Sequence, residues 1–214
     1  MDWYDSVEKA HQSLRKRCDS VVVGGLSMGA LLALHHAAEH PHDVSALALY
    51  APSLWLDGWG IPSYMSFFNL ITQKWFADCV VFAERQPWGV RDPRIKALVK
   101  KAITSGESSQ AGIAALPGNL MLELRWLVRQ VRREISHVRQ PTLIVHPRRH
   151  DRASMRNVNY LQSMLSGLTE TLVLEDSYHL VTLDRHRHLV LGRTLEFVSE
   201  VTRRATCPAG DEHD

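Results

Sequence analysis

The stretch Val21-Val22-Val23-Gly24-Gly25-Leu26-Ser27-Met28-Gly29-Ala30 decides the fold of this chain. Three successive β-branched residues, apolar on both faces, are the pattern of a strand covered on both sides, the habit of parallel sheets. The glycines end it, and Ala30-Leu31-Leu32-Ala33-Leu34-His35-His36-Ala37-Ala38 continues with strong helix formers up to Pro41. Between strand and helix, Gly25-Leu26-Ser27-Met28-Gly29 fits G-x-S-x-G, a pattern whose mechanics require that context. A nucleophile on a sharp strand-to-helix turn sits on strained backbone, so small residues are needed two before and two after it. This assigns Gly25 and Gly29 as the elbow glycines. Ser27 is then presented above the sheet edge. The Met28 amide and the positive end of the helix dipole face the oxygen on which charge develops, which makes Met28 the oxyanion-hole candidate. The bland alternative is a glycine-rich turn that only packs helix against strand.

Outward from this stretch the alternation repeats. A helix is expected over 5–17, further strands over 44–50, 141–146 and 170–174, and helices over 154–165 and 184–203. Strands separated by helices mean an α/β fold with a mostly parallel sheet of about four strands. About 90 residues separate the second and third strands, far beyond an ordinary crossover. They read as an inserted helical unit. Positions 92–104 are helical, and apolar residues at 120, 124, 127, 131, 135 and 138 form an amphipathic stripe. Four of the six tryptophans (55, 59, 75, 88) and four of the five phenylalanines (67, 68, 76, 82) fall within 53–90. They either cover a ligand pocket or form the insert's own core. The expected organisation is a core of 1–51 and 139–204, a helical cap over 52–138, and a polar tail over 205–214.

Composition narrows the class. The 214 residues carry 25 Lys+Arg against 23 Asp+Glu, with 45% hydrophobic and 22% charged residues. That is ordinary for a folded globular chain and excludes disordered, collagen-like and coiled-coil proteins. The charge balance argues against a nucleic-acid partner, and no apolar run reaches the 18 residues of a membrane span. Three cysteines, Cys18, Cys79 and Cys207, are few and odd in number. They fit free thiols in a reducing compartment, hence a cytoplasmic location.

A serine hydroxyl is a weak nucleophile unless a base takes its proton, so Ser27 needs a histidine and an acid that orients it. For this turn the chain order is serine, acid, histidine, each at the C-terminal end of a strand. PTLIVHPRRHD ends at Asp151 and LVLEDSYH ends at His179, 28 residues later, with one helix and one strand between. Asp151 is preferred over Glu175 and Asp176, which lie too near His179 in sequence to reach its other ring nitrogen from across the site. Twelve histidines make the mere presence of one uninformative; the position directly after the last strand selects His179. His35, His36, His40 and His42 are expected at the surface, and His186 and His188 in solvent. His146, His150 and Asp151 suggest a metal group, but no H-E-x-x-H or paired-cysteine spacing supports one, so no metal and no cofactor are expected.

GLSMG after VVVG, PTLIVHPRRHD, and SYHLVTLD in this spacing resemble the α/β-hydrolase superfamily, in its carboxylesterase and monoacylglycerol-lipase branch, over about residues 3–203. The resemblance implies Ser27 as nucleophile, His179 as general base and then acid, Asp151 as the orienter of His179, and Met28 as an oxyanion-hole amide. It implies hydrolysis of small carboxylic or monoacylglycerol-type esters through an acyl-enzyme, with the insert as cap. A catalytically impaired binding module, or an acyltransferase or thioesterase using the same triad, are the alternatives. Tyr178 departs from the glycine usual before the histidine. The sequence also contains no His-Gly dipeptide to supply the second oxyanion amide, and only about 20 residues precede Val21. Four further strands of ~5–6 residues and a helix of ~11–12 would need on the order of 60 residues more. The chain therefore reads as the C-terminal three-quarters of such an enzyme, with the first strand as a sheet edge open to self-association.

Overall fold

A computed structural model of the chain describes residues 2–62, 75, 77, 80–83, 87–104 and 115–206. Helix α1 (Asp2–Arg15) leads into strand β1 (Val22–Leu26), helix α2 (Met28–Glu39) and strand β2 (Ala46–Tyr50). The stretch after β2 contains β3 (Val81–Ala83), α3 (Pro93–Thr104), β4 (Ala115–Pro117) and α4 (Gly118–Glu134), the last continued by a 3-10 turn over Ile135–His137. Strand β5 (Thr142–Pro147), helix α5 (Arg156–Met164), strand β6 (Thr169–Leu174) and helix α6 (Arg187–Thr206) complete the chain.

Strands β1, β2, β5 and β6 form one parallel sheet in the order β1-β2-β5-β6. Its strands alternate in the way period two dictates. Leu47, Leu49 and Ile144 face a core built by α2, α4 and α5, through Leu31, Leu34, Leu127, Val131 and Leu161. Ala46, Leu143 and Val145 face the opposite layer, closed by Val190 and Phe197 of α6. The product is a three-layer α/β/α sandwich with helices on both faces of the sheet.

The amphipathic stripe of α4 behaves as its spacing predicts. Leu127, Val131, Ile135 and Val138 are buried against α2, so the end of the expected cap is continuous with the main core. The insert is not all helix: β3 and β4 form an antiparallel pair that the helical reading of this region missed. Three-residue strands are too short to show alternation. The final helix runs two residues into the expected polar tail. Cys79, Cys207 and the side chains of Phe67, Phe68, Phe76 and Phe82 lie outside the described residues, and Cys18 is an exposed free thiol. No helix among the described residues is long and apolar enough to cross a membrane.

Candidate active site

Ser27 occupies the residue between β1 and α2 with φ 57° and ψ −112°, a left-handed conformation that costs a non-glycine residue ~1–3 kcal/mol. Surrounding backbone imposes it. The Ser27 amide donates to the Tyr50 carbonyl at 2.8 Å, and the Ala30 amide donates back to the Ser27 carbonyl at 3.1 Å. Gly25 is required sterically: a Cβ there would lie 2.2 Å from the carbonyl carbon of Gly29 and 2.3 Å from its oxygen. Gly29 is a different case. A Cβ on Gly29 would meet nothing within 4 Å, so the expectation that both elbow glycines must be small for mutual clearance is corrected. Gly25 is the residue without room, and Gly29 supplies the backbone it must pass. Ser27 and Met28 are both half-buried, with Met28 the first residue of α2 and its amide at the positive end of that helix.

Asp151 and His179 follow β5 and β6, so both belong to loops on the sheet edge where β1 delivers Ser27. The two residues are buried, and they meet through the Asp151 carboxylate and the His179 backbone. Asp151 Oδ1 accepts the backbone amide of His179 at 3.0 Å. The His179 ring turns its Nδ1 to Nε2 of His150 at 3.1 Å. His150 is 2% exposed, and its own Nδ1 accepts the amides of Arg152 and Ala153 at 2.9 and 2.8 Å. An Nδ1 that accepts twice carries no hydrogen, so His150 is the Nε2–H tautomer and donates to His179. By the same network His179 carries its hydrogen on Nε2. The residue at the orienting position on the His179 ring is thus His150, which sequence reasoning had considered only as part of a metal group.

Burial dominates the electrostatics of this loop. It holds the His179 imidazole well below its ordinary pKa, with the charge of Arg152 adding to the effect. His150 is depressed by burial and then by His179. His146 is stacked on His150 with ring centroids 4.6 Å apart. It is lowered to about 4, again chiefly by burial, and its Nε2 donates to the Ala153 carbonyl at 3.0 Å. All three rings are neutral at pH 7, as a general base must be.

A second residue that sequence reasoning missed is Asp184. Fully buried, its carboxylate accepts backbone amides of Arg91, Asp92, Tyr178 and Arg185 at 2.7–3.0 Å. It ties the segment before α3 to the histidine loop. Gly89, at φ 69°, presses on the same loop, where a Cβ would come within 2.9 Å of His179 Cβ. From the other side the segment after β2 is fastened by Asp57, whose carboxylate accepts the Ser154 amide at 2.8 Å and hydroxyl at 2.7 Å.

A cavity of about 620 Å³ reaches His150 and is lined by Trp59, Tyr178, Arg91 and Arg149 among others; Ser27 is not in its wall. Trp59 meets Tyr178 edge to face at 5.4 Å, so the residue that departs from the usual glycine forms part of this wall. Trp55 instead packs on Tyr160 beside the main core. Of the described tryptophans in this stretch, Trp59 thus lines the cavity and Trp55 joins the main core.

A strained serine at a strand-to-helix turn, on the edge of a parallel sheet that also carries the histidine loop, is the arrangement of the α/β-hydrolases. The chain belongs to the Hydrolase_4 family, described as serine aminopeptidase, S33, whose model matches residues 1–186. It is 24% identical over 200 residues to the thermostable monoacylglycerol lipase of Bacillus sp. (strain H-257), covering 93% of this chain and 70% of the lipase. Among solved structures it superposes on a metagenome-derived lipolytic enzyme with a TM-score of 0.73 at 20% identity, covering 93% of this chain and 73% of the other. A monoacylglycerol lipase of Paleococcus ferrophilus follows at TM-score 0.72 and 13% identity, over 92% and 74%. The monoglyceride lipase of Saccharomyces cerevisiae gives 0.70 and 14%, over 94% and 68%. These likenesses establish the α/β-hydrolase fold, and the family establishes a hydrolase.

Proposed function

We propose that the chain is a serine hydrolase of small carboxylic or monoacylglycerol-type esters, acting through an acyl-enzyme on Ser27. The observation that carries this reading is the Ser27 backbone, held in a strained left-handed conformation at the N-terminus of α2. Strain of this kind persists only where surrounding structure enforces it, and here it delivers a hydroxyl next to a helix dipole. The lipases that share the fold add support for an ester substrate. In the reaction His179 takes the Ser27 proton as Oγ attacks the ester carbonyl, and the Met28 amide faces the developing oxyanion. The same proton then passes to the departing alcohol, and a water activated by His179 releases the acid.

To act as base through Nε2, His179 needs its hydrogen on Nδ1 and an acceptor there. Asp151 is that acceptor in the proposed active arrangement. Its carboxylate already rests on the His179 amide, so the ring must exchange His150 for Asp151. The observed His150 contact gives a specific reason for a second reading, a hydrolase held at low turnover or retained as a binding module. Hydrolysis of short-chain p-nitrophenyl esters and monoacylglycerols, with mass analysis of quenched protein, separates the two. The acyl-enzyme reading expects one acyl adduct per chain on the peptide containing Ser27, absent from Ser27→Ala. Folded wild-type protein that forms no adduct and releases no alcohol supports the second reading.

A further inference from the structure

The C-terminal end of α2 lies nine to thirteen residues beyond Ser27, about 14–20 Å along the helix at 1.5 Å per residue. There His36 and His40, one turn apart, face Glu8 of α1. His36 has no exposed surface, and neither of its ring nitrogens has a hydrogen-bond partner among the described residues. The expectation that His36 lies at the surface is therefore corrected. A buried imidazole with both nitrogens unpaired costs the fold the desolvation of two polar atoms, and the protein interior normally supplies partners for such groups.

The surroundings supply ligands instead. Glu8 Oε2 accepts from Nε2 of His40 at 2.9 Å and lies 3.9 Å from Nδ1 of His36. The donor atoms of Glu8, His36 and His40 all lie within 4.8 Å of one another. Ligands at ~2.0–2.1 Å around a tetrahedral zinc stand on the order of 3.4 Å apart, so shifts of about 1 Å or less bring three donors into place. The His11 ring packs edge-on against His36 with centroids 4.6 Å apart, and its Nε2 is engaged by the Asp43 carbonyl at 3.3 Å. Two imidazoles and one carboxylate leave a fourth position for water.

We propose that Glu8, His36 and His40 form a divalent transition-metal site, selective for zinc-like ions, that staples α1 to α2. Two neutral imidazoles with one carboxylate are the donor set that zinc takes readily and that magnesium and calcium, which prefer oxygen, do not. Burial keeps His36 neutral, with its pKa pushed down to about 4, and the hydrogen bond from His40 holds the Glu8 carboxyl below its usual range. Binding requires His40 to move its hydrogen from Nε2 to Nδ1, with the ion taking the vacated lone pair. The site's distance from Ser27 along α2 makes its role structural. It would fix α1, whose packing runs mainly against α2, to the helix that carries the nucleophile.

The test uses untagged, chelator-stripped full chain titrated with zinc sulfate, read by thermal unfolding and by metal content after gel filtration. One zinc per chain is expected, with a rise in Tm of roughly 5 °C or more at a hundredfold excess over Kd. His40 and Glu8 are both partly exposed, so His40→Ala and Glu8→Gln should fold. Loss of even an outer-shell partner weakens such sites ~10–100-fold, and loss of a ligand should exceed that, so His40→Ala should bind zinc at least ~100-fold more weakly and lose the Tm response. Cobalt(II) in the same site should give the visible absorption of a four-coordinate ion, absent from His40→Ala. No Tm response in wild type, or an unchanged zinc affinity in His40→Ala, overturns the proposal.

Discussion

The two parts of the candidate active site are held in opposite ways. The Ser27 turn is a backbone object: its conformation is set by the Tyr50 carbonyl, the missing Cβ of Gly25 and the start of α2. The histidine loop is a side-chain object, with Asp184 gathering four backbone amides and His150 bridging two amides to the His179 ring. A backbone device has one state, because the alternatives are steric collisions. A side-chain network has several, because a ring or carboxylate can change partners at the cost of about one hydrogen bond. On the proposed reading Ser27 is therefore held in one place, and the choice between His150 and Asp151 as partner of His179 would set the activity.

The largest effect should come from breaking the backbone device. Gly25→Ala drives a methyl group into the Gly29 carbonyl, with no flexible side chain to give way, and should cost roughly 3 kcal/mol or more or abolish folding. Gly29→Ala, with open space around the new Cβ, should stay within about 1 kcal/mol of wild type in urea unfolding. Equal damage from both would refute the asymmetry of the elbow.

Breaking the side-chain device should come next. Asp184→Ala leaves the amides of Arg91, Asp92, Tyr178 and Arg185 without their acceptor. A loss of roughly 3 kcal/mol is expected, with the loop around His179 the first to gain hydrogen exchange.

Acid should act on the same loop. His146 has a folded pKa of about 4 against ~6.5 when unfolded, so between those values the unfolded chain binds more protons. The stability linked to His146 is thus fully present above about pH 6.5 and is lost as the pH falls toward 4. That is on the order of 2 kcal/mol by pH 5, and the depressed His150 and His179 add in the same direction. Urea midpoints at pH 7 and pH 5 measure it; a flat profile would mean that these rings are not buried neutral.

The subtlest change sharpens the comparison most. In His150→Asn the new Oδ1 stands in for Nδ1 toward the Arg152 and Ala153 amides, while the shorter side chain removes the Nε2–H that donates to His179. If Asp151 is the active partner, kcat should rise by roughly tenfold at pH 7, and Asp151→Asn should remove that gain. A fall in kcat with the loop intact would make His150 the orienter.

The same division explains what could be read in the sequence. The Ser27 turn was legible from five residues, because its determinants are local sterics that glycines and a strand-helix boundary announce. The sheet strands were legible for the same reason, from apolar runs such as PTLIVH. His150 and Asp184 were not. His150 meets its decisive partner 29 residues away, and Asp184 binds amides 92 and 93 residues upstream. Nothing in the residues beside them distinguishes them from a surface histidine or a helix-starting aspartate. His36 escaped for a related reason: its neighbours in sequence include three other histidines expected at the surface, and the rings that pack on it from α1, Tyr4 and His11, lie 25 or more residues away in sequence.

The central claim is that Ser27 is an activated nucleophile, and covalent capture tests it most directly. A fluorophosphonate probe reacts with a serine only where a base removes its proton and an oxyanion hole receives the charge. Incubated with the folded chain, it should label one site, on the peptide containing Ser27, with labelling abolished in Ser27→Ala and strongly slowed in His179→Ala. Folded wild-type protein that stays unlabelled, or a label that persists in Ser27→Ala, would contradict the account.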